Sequence, residues 1–109
     1  MKKISILILL MSVLVSCDSS ATQDISAVVE NPTYSANIKS VIDSKCVNCH
    51  SGGDQSPNLE TYSQVKEETL NGTVICRIED SCGDVMPPSG KLPSATIAMI
   101  NNWVTNGCP

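Results

Sequence analysis

Aromatic residues are nearly absent from this sequence, which has one Trp, two Tyr and no Phe in 109 residues. A domain of this size buries a smaller share of its surface than a large protein does, and it often needs a cross-link or a cofactor. Because aromatic side chains usually supply much of such a core, we expect another group to fill part of it here. The length permits one small domain and excludes a Rossmann fold or a large α/β enzyme.

Basic residues are also scarce, with seven Lys and Arg against eleven Asp and Glu and a net charge of −4. Two of the seven, Lys2 and Lys3, lie in a leader of 16 residues that we expect to be removed and that contains no acidic residue. The remaining 93 residues would then carry a charge of −6. Nucleic-acid phosphates would repel so acidic a domain, which argues against a nucleic-acid partner.

The sequence has no apolar run long enough to cross a membrane as a helix, because residues 4–15 supply about 12 residues where roughly 20 are needed. With two lysines before this run, residues 1–16 have the plan of a secretory signal peptide. Leu14-Val15-Ser16-Cys17 resembles the lipobox of bacterial lipoproteins, which implies a lipid on Cys17. An ordinary secretory signal is the alternative. Both place the domain outside the cytoplasm, and the lipoprotein reading anchors it in the bacterial cell envelope, facing the periplasm or at the cell surface.

We expect a lipidated flexible tether over residues 17–30, since this stretch is polar and shows no helical stripe, and a folded domain over residues 31–109. No stretch alternates polar and apolar residues as a strand does, so the domain is predicted to be all-α. Asn31-Pro32 is a typical helix start, with an Asn cap and Pro in the first turn. The apolar stripe that follows it at helical spacing consists of Tyr34, Ile38, Val41 and Ile42.

A last helix is predicted from Ile97, Ile100, Trp103 and Val104, closed by Asn106-Gly107. Two shorter helices are predicted between the terminal ones. Their apolar positions are Leu59, Tyr62 and Val65, then Val74, Ile75 and Ile78. Gly, Pro and Ser predict loops at residues 51–58 and 80–92.

The motif that carries chemistry is Cys46-Val47-Asn48-Cys49-His50. C-x-x-C-H is the attachment motif of c-type haem, in which two thiols add to the porphyrin vinyl groups and the histidine becomes an axial ligand. His50 is the only histidine in the chain, and bacteria attach c-type haem on the outer side of the membrane. We therefore predict one covalent haem c held by Cys46, Cys49 and His50.

Three other sites can be built from these cysteines. A four-cysteine zinc site would add Cys76 and Cys82, but it leaves His50 without a role. A thioredoxin-like redox pair would want a βαβ context, which the pattern lacks. A structural Cys46–Cys49 disulfide would close an unusually tight loop. Haem attachment accounts for more of the motif than any of these.

The sixth iron ligand has to be a residue other than histidine, and Met86 and Met99 are the methionines that follow the signal segment. Met99 falls inside the predicted last helix, where a core contact is expected. Met86 precedes Pro87-Pro88, which stiffen the backbone and keep it outside a helix. We predict Met86 as the distal ligand, with a buried loop anchor as the alternative.

Together these elements resemble a class I cytochrome c domain of the compact single-haem type. The resemblance covers residues 31–109 and is carried by CVNCH, VMPPSG at residues 85–90 and LPSATIAMINNWVTNG at residues 92–107. It implies short helices and loops wrapped around one covalent haem, with His50 proximal and Met86 distal. It also implies that the terminal helices cross near a haem edge where Trp103 packs. The family usually has Ser or Thr where this chain has Pro93, so Ser94 is the expected cap.

Cys76, Cys82 and Cys108 remain beyond the lipid and haem sites, and the sequence alone allows three pairings. We favour Cys76–Cys82, a short loop that could brace the Met86 segment, with Cys108 free or paired between molecules. Arg77 can pair with a haem propionate or be an ordinary surface residue. The second N–H of His50 needs an acceptor, for which the Pro57 carbonyl region and Asn58 are the candidates.

The predicted function is one-electron transfer by a coordinatively full iron, without enzymatic activity of its own. Two alternatives stay open: a haem-based sensor or small-ligand binder with a labile sixth ligand, and the electron-entry subunit of an envelope oxidoreductase. The expected partners are redox proteins with a basic docking patch and, through the lipid anchor, the membrane.

Overall fold

Helices are the only regular secondary structure in residues 27–109, the part of the chain that the computed structural model describes. Their bounds are Tyr34–Ile38, a π-helix, then α1 at Lys39–Lys45, α2 at Tyr62–Leu70, α3 at Thr73–Ile78 and α4 at Ser94–Thr105. The predicted all-α class is confirmed for these residues. The predicted signal peptide, Cys17 and most of the predicted tether lie outside them. No helix within residues 27–109 has both the length and the apolar character to cross a bilayer.

The first helix begins at Tyr34, so the predicted start at Asn31-Pro32 was wrong. Thr33 caps it, because its side-chain oxygen accepts a hydrogen bond from the backbone N–H of Ala36 at 3.3 Å. In return, the side-chain oxygen of Asn37 accepts from the backbone N–H of Thr33 at 3.0 Å. This reciprocal pair satisfies the exposed donors of the first turn without Asn31. Pro32 is buried ahead of the helix instead of forming its first turn.

The predicted end of α4 is confirmed, whereas its predicted cap was wrong. Pro93, not Ser94, occupies the N-cap position, and no side chain caps this helix start. The extended Pro93 backbone turns its carbonyl oxygen to Thr96, whose N–H donates to it at 2.9 Å, so Ser94 already lies in the first turn. At the other end, Gly107 has a φ of +86°, a conformation that glycine adopts without strain, and closes the helix after Asn106.

All three aromatic residues of the chain meet where the first helix, α2 and α4 come together. The ring centroid of Tyr34 lies 5.0 Å from that of Tyr62 and 6.0 Å from that of Trp103. Trp103 is completely buried, and the wider core consists of Ile38, Ile42, Leu59, Val65, Val74, Ile78, Leu92, Ile100 and Cys108. The aromatic side chains are thus concentrated at the contact between the terminal helices, and other parts of the core contain only aliphatic residues and cysteine.

Residues 108 and 109 fasten these three helices to one another. The carbonyl oxygen of Pro109 accepts from the indole N–H of Trp103 at 2.9 Å and from the backbone N–H of Tyr34 at 2.8 Å. The hydroxyl of Tyr62 donates to the carbonyl oxygen of Cys108 at 2.7 Å. The Cys108 thiol is free and fully buried, and its burial raises its pKa. A thiol in this position can reach a second molecule only if the core opens, which disfavours pairing between molecules.

The extended segment before the first helix is held against α4. The side-chain amide of Asn102 donates to the carbonyl oxygen of Val29, and that of Asn106 donates to the carbonyl oxygen of Glu30, both at 3.0 Å. Asn102 and Asn106 are one helical turn apart, so they lie on the same face of α4. The hydrogen-bonded domain therefore includes Val29 and Glu30.

Candidate functional site

One cleft brings together the four side chains predicted to hold the haem. Cys46, Cys49, His50 and Met86 all line a cavity of about 150 Å³, although Met86 lies far along the chain from the other three. The remaining lining residues come mainly from the loop after His50, from α3 and from the prolines after Met86: Lys45, Gln55, Pro57, Leu59, Thr73, Val74, Arg77, Ile78, Pro87 and Pro88. No aromatic residue is among them.

The C-x-x-C-H motif reaches the cleft because α1 ends at Lys45 and the chain continues as a tight turn. The N–H of Cys46 still donates to the carbonyl oxygen of Ile42 at 2.9 Å. The N–H groups of Cys49 and His50 then donate to the carbonyl oxygen of Cys46, at 3.2 and 2.9 Å. Cys46 is half-buried, which raises the pKa of its thiol, whereas Cys49 is exposed.

The imidazole of His50 is fixed by the loop that follows it. Its Nδ1 lies 2.8 Å from the carbonyl oxygen of Pro57. Because a carbonyl oxygen can only accept, Nδ1 is the donor in this contact, which leaves Nε2 as the ring nitrogen that could bind a ligand. The N–H of Leu59 donates to the carbonyl oxygen of His50 at 2.8 Å, which closes the loop. Of the two candidates for the His50 acceptor, Pro57 takes this position, and Asn58 accepts instead from the N–H of Gly53 at 3.1 Å.

Met86 reaches the cleft on the loop between α3 and α4. Its N–H donates to the carbonyl oxygen of Arg77 at 3.1 Å, and its side chain is half-buried. Met99, by contrast, lies on α4 away from the cleft lining and packs, half-buried, against the core.

A disulfide joins Cys76 in α3 to Cys82, with the two Cα atoms 5.4 Å apart, so it closes a small loop shortly before Met86. With their sulfurs bonded to each other, these cysteines offer no thiolates to a four-cysteine zinc site in this structure. Within residues 27–109, no group of three or more His, Cys, Asp or Glu side chains is arranged to hold a metal ion.

The walls of the cleft are mainly apolar, and the Lys and Arg residues that line it are basic. Lys45 and Arg77 line it, and no Asp or Glu of the described chain does. Sequence reasoning missed the contribution of α3, whose Val74 and Ile78 form one wall. Their spacing predicts an apolar helix face, but the sequence does not say what that face meets.

No protein-family model, curated protein or solved structure matches the chain. The residues of the cleft therefore have to carry the functional argument.

Proposed function

We propose that this protein is a single-electron carrier that holds one c-type haem, attached through Cys46 and Cys49 and ligated by His50 and Met86. The observation that carries the proposal is the convergence of these four side chains on one cleft. Two thiols, an imidazole and a thioether are the donor set that a covalent, His/Met-ligated haem requires.

The other residues of the cleft fit the same group. A porphyrin is a large apolar ring that carries two carboxylates, and the cleft offers aliphatic walls with two cations. The absence of aromatic side chains from the lining, together with the sequence's shortage of them, fits a core that is completed by a flat cofactor. Bound there, the group would supply reversible one-electron exchange between ferric and ferrous iron.

His50 and Met86 have different tasks in this proposal. The hydrogen bond from Nδ1 of His50 to the Pro57 carbonyl oxygen orients the ring and makes Nε2 a better donor. Met86 would offer the iron a neutral thioether, which favours the ferrous state. With His50 and Met86 both as ligands, electron transfer would need no substrate-binding site. The mainly apolar walls would limit the contact of the group with water, which also favours the less charged, reduced state.

The same proposal assigns the protein to the bacterial cell envelope, anchored through Cys17. Its net acidic charge supports docking to redox partners that present a basic patch.

Covalent haem retention tests the proposal. The chain is produced in a bacterium that attaches c-type haem, denatured, and examined by its intact mass and by the pyridine haemochrome spectrum. We expect one haem to stay with the denatured chain. A Cys46→Ser/Cys49→Ser variant should lose it, whereas Cys108→Ala, which removes another free thiol, should keep it.

A denatured parent chain without haem would refute the proposal. A parent that keeps haem but binds carbon monoxide readily in the ferrous state has an open or labile sixth position. That result would favour the sensor over the electron carrier.

A further inference from the structure

We propose that Arg77 is a positioning residue for Met86: it holds the Met86 segment at the cleft through its backbone and its guanidinium together. This inference rests on the proposed function, since it concerns how the distal ligand is kept in place. Arg77 lies in α3, a helix anchored in the core by Val74 and Ile78, so it offers a fixed point for the loop.

Two hydrogen bonds connect Arg77 to the loop that carries Met86. The carbonyl oxygen of Arg77 accepts from the N–H of Met86 at 3.1 Å. The guanidinium Nη1 donates to the carbonyl oxygen of Asp84 at 3.1 Å. One residue thus holds the loop at Met86 itself and two positions before it, and this fixes the direction in which the chain enters the cleft.

Gly83 gives the guanidinium the space that it needs. A Cβ atom built on Gly83 would lie 2.5 Å from Nη1 of Arg77 and 3.0 Å from its Cζ. The arginine side chain is flexible and could move aside, but it would then leave the Asp84 carbonyl oxygen. The glycine at this position therefore allows the second of the two hydrogen bonds.

The start of the loop is fastened to α3 as well, one residue before Arg77. The disulfide joins Cys76 to Cys82, and the carbonyl oxygen of Cys76 accepts from the N–H of Ser81 at 2.8 Å. These bonds limit the movement of the loop as a whole. The two hydrogen bonds from Arg77 fix the position of the last loop residues before Met86.

A different role for Arg77 would be purely electrostatic, as a cation facing the carboxylates of the cofactor. Substitution of Arg77 by lysine distinguishes the electrostatic role from the positioning role. Lysine keeps the positive charge, but its side chain is one bond shorter and ends in a single nitrogen, so it does not place a donor where Nη1 lies unless the loop moves. An electrostatic role survives Arg77→Lys, whereas a positioning role does not.

The test compares Arg77→Met, Arg77→Lys and Gly83→Ala in the haem-loaded protein. It measures the long-wavelength charge-transfer band that methionine sulfur gives to ferric haem, carbon monoxide affinity in the ferrous state, and hydrogen exchange of the Met86 N–H. Losing one such hydrogen bond should raise the fraction of molecules with an open sixth position about five- to tenfold. The apparent carbon monoxide affinity should rise by the same factor, because it scales with the binding-competent fraction.

Lys39→Met is the matched control, since Lys39 is an exposed cation of α1 that does not line the cleft and whose side chain bonds to Asp43. We expect it to leave the band and the carbon monoxide affinity unchanged. All three test variants should weaken the band and speed exchange at Met86. The double variant Arg77→Met/Gly83→Ala should weaken the band by less than the sum of the two single effects, because both changes remove the same contact; alanine at the φ of +65° of Gly83 adds only its own backbone strain.

An unchanged band in Arg77→Lys, or equal effects of Lys39→Met and Arg77→Met, would overturn the positioning role while leaving the proposed function intact. A parent protein without the methionine band would instead remove Met86 from the iron, and the proposed function and this inference would fall together.

Discussion

Met86→Ala tests whether Met86 is the distal iron ligand or an ordinary loop anchor. Met99→Ala is the matched control. Both methionine side chains are half-buried, so truncation should cost each a similar amount of packing. A fully buried Met→Ala change costs 2–5 kcal/mol, and half-burial reduces this to about 1–2 kcal/mol of unfolding free energy. The packing loss alone therefore should not distinguish the two variants.

Their spectra should differ, because only Met86 lines the cleft. With Met86→Ala we expect loss of the methionine band in the ferric protein, new binding of carbon monoxide in the ferrous protein and a lower reduction potential. The potential falls because the thioether no longer favours ferrous iron. The haem should stay attached after denaturation, since Cys46 and Cys49 are unchanged. Met99→Ala should keep the band and the potential and show only the loss of stability.

Absorption spectra, carbon monoxide titration and denaturant unfolding measure these quantities on the same samples. If Met86→Ala kept the parent's spectrum and potential, or if Met99→Ala lost the methionine band, the assignment of the distal ligand would be wrong. A loss of stability in Met86→Ala without a spectral change would indicate a loop anchor.

Three further predictions concern location, partners and pH. Cys17→Ser should release the domain from membranes or leave the precursor uncleaved, as fractionation and intact mass would show; a variant that is still processed and membrane-bound would contradict the lipid anchor. Electron transfer to a basic partner should slow as salt rises, because screening limits the reach of charge to about 8 Å near physiological ionic strength, and a rate that is independent of salt would count against acidic docking. Burial raises the pKa of the Cys108 thiol above its ordinary value of 9.0, so the unfolded chain ionises first and unfolding free energy should fall as pH rises past 9. In Cys108→Ala part of this alkaline loss should disappear from denaturant curves, and an identical pH dependence in parent and variant would contradict the role of the thiol.

The helices were largely predictable because their signals are local. The apolar spacing predicts α3 and α4, and the Asn106-Gly107 end is a short-range backbone requirement. The errors fell at helix starts, where neighbouring residues compete for the same donors. At the first helix the Thr33–Asn37 pair prevailed over Asn31, and at α4 the carbonyl of Pro93 took the place expected for Ser94.

The site was predictable only where its residues are neighbours in the sequence. Cys46, Cys49 and His50 form a contiguous motif, so their proximity follows from the sequence. The bond from Arg77 to Asp84 has a backbone carbonyl as its acceptor, and backbone acceptors occur at every position, so no residue pattern marks the contact. Gly83 has a φ of +65°, which itself favours glycine, but the space that it leaves for the Arg77 guanidinium is apparent only in the fold.

If Cys17 carries a lipid as proposed, the bonds from Asn102 and Asn106 to the segment before the first helix would set how far the cleft can lie from the membrane. They fix the chain to α4 from Val29 onward. If Cys17 carries the lipid, about 12 residues separate it from this fixed point, and even fully extended they reach at most about 40 Å. A redox partner would then have to present its docking surface within that distance of the membrane, where the short connection would keep the local concentration of the domain high. Removing both asparagines would move the fixed point to a later residue and extend that distance, which would lower the local concentration.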